Sequence, residues 1–156
     1  MLTIRVIAVG KDKDAWVSDG CAHFEKLLSR WAEVQWQFVK PGAISHSLSP
    51  DQIKAREADD LVRALRGRAY IALTDRGKKL DSIGFSRQLQ KWLTHFGGEL
   101  TFIIGGAYGL DSQIEREAQM ELSLSPLTFS HQLVRLVLLE QLYRGFSILH
   151  NTEYHK

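Results

Sequence analysis

Residues 102–111 read FIIGGAYGLD, an apolar run that breaks into a turn carrying Gly105, Gly106 and Gly109. Glycines placed there leave backbone N–H groups uncovered at the carboxyl end of a buried strand, which is where open α/β sheets hold ligands. The same alternation recurs outward in both directions. Residues 2–9 form a first apolar strand with Gly10 as its breaker, and residues 14–31 a helix with Trp16, Phe24, Leu27, Leu28 and Trp31 at helical spacing. Val34, Trp36 and Phe38 alternate with Gln35 and Gln37, the pattern of a half-exposed edge strand. Ser49 is placed to cap a helix with Pro50 in its first turn, Ile53, Leu61 and Leu65 on its apolar side and Gly67 at its end. Residues 70–73 read as a strand, 75–77 as a turn, and Phe85, Leu89, Trp92, Leu93 and Phe96 as a helix that Gly97 and Gly98 stop. Strands that alternate with helices in this way predict an α/β fold, a mostly parallel sheet with helices on both faces. The polar segment 41–50 is expected to be a long, mobile loop.

The chain of 156 residues is one-domain length, and no repeat or linker divides it. A formal net charge of +2 permits nucleic-acid binding without demanding it. One cysteine, Cys21, allows no internal disulfide, and no cysteine cluster suggests a metal site. The basic residues Lys11 and Lys13 follow the first apolar run, the reverse of a secretory signal, and no stretch approaches membrane-spanning length. These features lead to the expectation of a cytoplasmic protein without metal or membrane.

The glycine turn matches neither the G-x-G-x-x-G dinucleotide fingerprint nor a P-loop, which disfavours a pyrophosphate cofactor. By itself such a turn commonly serves only to reverse the chain. A second loop, residues 124–129, follows one short helix later, in the stretch LSLSPLTFSHQLVRLVLLEQLYRGF (122–146). Together with LTDRGK at 73–78, these segments resemble the SPOUT-class large-subunit ribosomal RNA methyltransferases that act on ring nitrogen 3 of pseudouridine, and the similarity runs from MLTIRVIAVGK to YHK. The resemblance implies an α/β-knot fold in which the C-terminal segment threads under an earlier loop. It also implies S-adenosylmethionine bound by Leu73, Gly105 and the loop Leu124, Ser125, Pro126, Leu127, Thr128 and Phe129. The chemistry is compatible: adenine and a sulfonium need an apolar wall and backbone donors and acceptors, not a phosphate cradle. Leu73, Leu124, Leu127 and Phe129 could supply that wall, and Pro126 would fix the loop's shape.

Between His131 and Leu149 apolar positions cover nearly the whole helix circumference, as expected of a helix buried on all sides, here by a second subunit. The resemblance likewise implies a homodimer through this region. Leu138 and Leu142 are candidates for the seam. Glu140 and Arg144 read first as an ordinary helix-face ion pair. Arg135, one turn after His131, is the candidate for gripping RNA phosphate or the uracil carbonyls. Ring nitrogen 3 of pseudouridine carries a proton, so methylation requires a base or a cation that stabilises charge on the flanking carbonyls. Tyr154, His155 and Lys156 meet that requirement, and the resemblance implies that they enter the active site across the dimer, with Lys156 where many relatives have Arg or Lys. No RRM, KH or OB signature is present. Lys11, Lys13, Lys78 and Lys79 lie just after the expected strands and are the candidate phosphate contacts, whereas Arg63, Arg66 and Arg68 read as solvated surface. The resemblance implies 23S rRNA in the assembled 70S ribosome as substrate. Methylation of another base or a ribose, or a non-catalytic ribosome-binding role, are the alternatives.

Overall fold

The computed structural model describes residues 1–42 and 47–156. The middle of the loop expected to be mobile, residues 43–46, lies outside the described residues. Five strands, β1 (Leu2–Val9), β2 (Ala32–Val39), β3 (Ile71–Lys79), β4 (Glu99–Ile104) and β5 (Met120–Ser123), alternate with helices α1 (Ala15–Leu28), α2 (Pro50–Leu65), α3 (Ser82–His95), α4 (Ser112–Glu117) and α5 (Leu133–Leu149). The strands form one sheet in the order β2-β1-β4-β3-β5, and every pairing is parallel.

Strand periodicity divides the core into two layers. Ile4, Val6 and Ala8 of β1 face one side and pack with Val17 and Cys21 of α1, Phe85 and Leu89 of α3, and Leu138, Leu142 and Phe146 of α5. Ile7 and Val9 point the other way, against Ala58, Leu61 and Leu65 of α2 and Ile114 of α4. β2 is an edge strand with its side chains mostly half-buried, as its alternation of aromatic and glutamine residues predicts. α2 begins as read: the Ser49 hydroxyl accepts from Gln52 N–H and the Gln52 side chain accepts from Ser49 N–H, a reciprocal capping box with Pro50 in the first turn.

Three expectations change. The chain does not turn at 75–77; β3 continues to Lys79, with a register shift between Leu73 and Lys78 where it pairs with β5. Gly77 makes this possible, because a Cβ there would lie 2.6 Å from the Glu121 carbonyl carbon. Lys78 and Lys79 are therefore strand residues, not loop residues. Trp16, read as an inward position of α1, is 55% exposed in that helix's first turn. Finally, α5 is enclosed largely by its own chain, packing between α1 and α3. Leu138 and Leu142 have no exposed surface within a single chain, so they belong to the core and not to a seam.

Candidate active site

The middle of β3 and the carboxyl ends of β4 and β5 open into a cleft of about 750 Å³. Three segments line it: Leu73 to Arg76, Ile104 to Leu110, and Leu122 to His131 with Val134. Leu73, Ile104, Leu122, Leu124, Leu127, Phe129 and Val134 give it an apolar wall, while Gly105, Gly106 and Gly109 contribute bare backbone. Gly109 N–H donates to Gly106 O at 3.0 Å, and Gly109 holds φ +84, a left-handed conformation open to glycine without strain. Gly105 does not have positive φ; it is required because a Cβ would lie 2.7 Å from the Gly109 carbonyl carbon. The segments are also tied to one another. The Ser123 hydroxyl donates to Ser125 O at 2.8 Å and the Thr128 hydroxyl to the Asp75 carboxylate at 3.2 Å, while Arg76 pairs with Glu115 at 3.1 Å on the rim.

Two polar residues of the α5 entry anchor the loop that follows β1. The Gln132 side chain accepts from Lys13 N–H at 3.1 Å and donates to Lys11 O at 3.2 Å. Arg135 is fully buried and donates to Asp12 Oδ1 (2.9 Å), Val9 O (2.9 Å) and His131 O (3.1 Å). A guanidinium committed in this way ties β1 to α5 and is not among the residues that line the cleft, whereas the sequence made it the candidate for gripping substrate. Beside it, His131 lines the cleft. Burial, and then the nearby cations Arg135 and Lys13, hold the His131 imidazole below its ordinary pKa, favouring its neutral form.

The last residues are ordered against the far end of α5. The Tyr154 hydroxyl donates to Glu140 Oε1 at 2.9 Å, and its ring meets Tyr143 edge-on at 4.6 Å between centroids. Arg144 Nη2 donates to the same Glu140 oxygen at 2.7 Å and lies over the Tyr154 ring at 4.8 Å. Arg144 Nη1 is 3.0 Å from His155 Nδ1. A guanidinium can only donate, so Nδ1 must accept, which leaves the proton of the neutral ring on Nε2. Glu140 and Arg144 are thus more than a helix-face pair: they dock the tail.

The cleft gathers Leu73, Gly105, Leu124, Ser125, Leu127, Thr128 and Phe129, all predicted from sequence. Pro126 is exposed and outside the lining, although it sits in the same loop. Tyr154, His155 and Lys156 do not line this chain's own cleft. Sequence reasoning missed Asp75 and Arg76, read as part of a turn, and Lys54, Tyr108 and Glu115, which tertiary packing brings to the rim. Among the described residues no group of three or more His, Cys, Asp or Glu is placed to hold a metal, and no helix is long and apolar enough to cross a membrane.

A parallel α/β sheet with an apolar, backbone-lined cleft at its carboxyl edge defines a class of small-molecule-binding α/β proteins. Within that class the chain belongs to the SPOUT methyltransferases, matching the family described as "Predicted SPOUT methyltransferase" over residues 2–155. It is 39% identical over 160 residues to ribosomal RNA large subunit methyltransferase H of Acetivibrio thermocellus, covering 99% of this chain and 100% of the relative. It is 40% identical over 160 residues to the protein of the same name from Streptococcus equi subsp. equi, again covering 99% and 100%. The crystal structure of a probable methyltransferase from Bordetella pertussis Tohama I superposes with a TM-score of 0.51 at 12% identity, covering 91% of this chain and 95% of that one, a likeness of fold.

Proposed function

We propose that this chain acts as a cytoplasmic homodimer that transfers a methyl group from S-adenosylmethionine to ring nitrogen 3 of a pseudouridine in the 23S rRNA of assembled ribosomes. The observation that carries the reading is the convergence of the 73–76, 104–110 and 122–131 segments on one cleft, in a chain similar along its whole length to proteins named for large-subunit rRNA methylation. The donor set fits the cofactor. Apolar walls suit adenine, glycine-turn backbone can read its edge, and the Asp75 carboxylate suits a cationic ligand, Glu115 being already paired with Arg76. Once bound, S-adenosylmethionine supplies an electrophilic methyl group on a sulfonium.

The chain's own residues must align the acceptor nitrogen, exclude water and take up its proton. Neutral His131 in the cleft is the group suited to receive that proton. His155 and Lys156 supply donors, through Nε2–H and the ammonium, to the carbonyls flanking the nitrogen as it becomes anionic, while Tyr154, its hydroxyl proton given to Glu140, holds the tail in place. In this chain Tyr154 and His155 are docked at Glu140 and Arg144, and Arg144 lies ten residues of α5, about 15 Å, from Val134 at the cleft. A partner subunit would close that gap. Leu133, Val137 and Ile148, half-buried in the single chain, share a helical stripe with Glu140 and Arg144 and form the proposed seam. The threading of the C-terminal segment belongs to the same proposal.

The test is incubation of purified 70S ribosomes and of free 23S rRNA with the protein and methyl-labelled S-adenosylmethionine, followed by mass mapping of the nucleosides. Label in N3-methylated pseudouridine from ribosomes supports the reading. Label in a ribose or another base redirects the substrate assignment, and cofactor binding without transfer to any RNA removes the enzymatic one.

A further inference from the structure

We propose that the loop after β1 and the adjoining end of β2 form a second RNA contact, in which Trp16 stacks an unpaired base and Lys11, Lys13 and Lys40 hold the backbone phosphates around it. The proposal rests on the RNA substrate inferred above and extends it beyond the cleft. Parallel strands place these residues on the same edge of the sheet as the cleft: Lys11 follows the carboxyl end of β1 and Lys40 that of β2. Gly10 N–H donates to Val39 O at 2.8 Å, so the two strand ends, and the lysines beyond them, are neighbours. Lys13 lies close enough to His131 of the cleft to lower its pKa.

The loop is fixed from behind and left open in front. Gln132 and Arg135, both buried, hold the Lys11 carbonyl, the Lys13 amide and the Asp12 carboxylate. Arg135 neutralises Asp12; Asp14 stands at the start of α1 and Asp19 one turn after Trp16, so the lysines and not an acid-free surface supply the positive charge. The side chains of Lys11, Lys13 and Lys40 are exposed, as is Trp16. An indole in water forgoes the burial its size would provide, and a helix of this length could have turned a polar residue outward. An exposed indole three residues after Lys13, on a helix that leaves the loop carrying Lys11 and Lys13, matches the chemistry of single-stranded nucleic acid: a base for the ring and phosphates for the cations. Such a contact would orient RNA flanking the target nucleotide as it enters the cleft.

The experiment measures equilibrium binding of the full-length protein to purified 70S ribosomes over a salt series, without turnover, for the parental chain, Trp16→Ala, Trp16→Phe and a triple variant with Lys11, Lys13 and Lys40 changed to Ala. Trp16→Ala should weaken binding about tenfold, and Trp16→Phe, which keeps a ring, should stay within about twofold of the parent. The triple variant should lower the slope of log affinity against log salt by about two, near the value for three single-strand phosphates. S-adenosylmethionine affinity, melting temperature and dimer size should not change. Unchanged ribosome affinity in Trp16→Ala overturns the proposal. So does dissociation of the dimer, which would make this face a contact between copies, or an unaltered salt slope, which would point to a ribosomal protein as the partner. A parental protein that binds ribosomes but methylates no pseudouridine overturns the proposed activity alone; one that binds no ribosome overturns both.

Discussion

Replacing Arg135 by Met removes a guanidinium with no exposed surface that donates at 2.9 Å to Asp12, 2.9 Å to Val9 O and 3.1 Å to His131 O. Met retains much of the side-chain volume, so the loss is chiefly that of partners left behind: a backbone carbonyl in the core and a carboxylate. Breaking a fully buried ion pair by deleting one member costs about 3–5 kcal/mol. The Asp12 side chain keeps 19% of its exposure, so water recovers part of its solvation, and the low end of that range, about 3 kcal/mol, applies. For a chain of this size that corresponds to a fall in melting temperature of roughly 6–12 °C. Adding Asp12→Asn to Arg135→Met should restore about 1 kcal/mol by removing the stranded charge, a coupling that independent sites would not show. Denaturant titration at fixed protomer concentration reads all four members of the cycle. A variant with Arg135→Met that keeps the parental midpoint yet loses methyl transfer would refute the reasoning and return Arg135 to the substrate.

Leu138→Glu should prevent folding, since that position has no exposure in a single chain, whereas Val137→Glu on the half-buried stripe should give a folded monomer by light scattering. The opposite pattern would move the seam. Deleting Tyr154, His155 and Lys156 should abolish methyl transfer and spare S-adenosylmethionine affinity in calorimetric titration; full activity on 70S ribosomes would show the docked tail to be dispensable. Because His131 is held below its ordinary pKa by burial, then by Arg135 and Lys13, its titration midpoint lies below the ordinary value near 6.5. The acid limb of methyl transfer should therefore have its midpoint below that value and should be lost, together with about 10²-fold in rate, in His131→Asn. The same sign makes this residue's contribution to stability fully present above its unfolded pKa and lost as pH falls through the folded one.

Local signals carried most of the fold. The Ser49 cap, the Gly67 stop, the alternation in β2 and the apolar runs of β1 and β4 depend on neighbours in sequence, and each matches the structure. The failures have non-local causes. Asp75–Arg76–Gly77 has turn-like composition, but β5 pairs with it and draws it into β3. The apolar circumference of α5 shows that something covers the helix, not whether the cover is α1 and α3 or a second chain; it is mainly the former for Leu138 and Leu142. Arg135 offers the same lesson for the site, since a cation near a ligand loop looks identical in sequence whether it faces substrate or pairs with a half-buried Asp12 in the loop after β1. The cleft lining was readable where it rests on glycine and loop chemistry, as at Gly105 and Leu124, and unreadable where separate elements meet, as at Lys54, Tyr108 and Glu115.

The claim that the cleft of one subunit works with the tail of the other is tested most directly by subunit complementation. Gly105→Val forces the exposed 107–109 turn out of place and should disable the cleft while leaving the core folded, because its Cβ would collide with the Gly109 backbone. The second inactive partner lacks Tyr154, His155 and Lys156. When the two are unfolded together, refolded and assayed on 70S ribosomes, random pairing makes half the dimers mixed, each with one complete site, and roughly a quarter of the parental methyl transfer should return. No recovery, with mixed dimers demonstrated by mass spectrometry, would contradict a site shared between subunits.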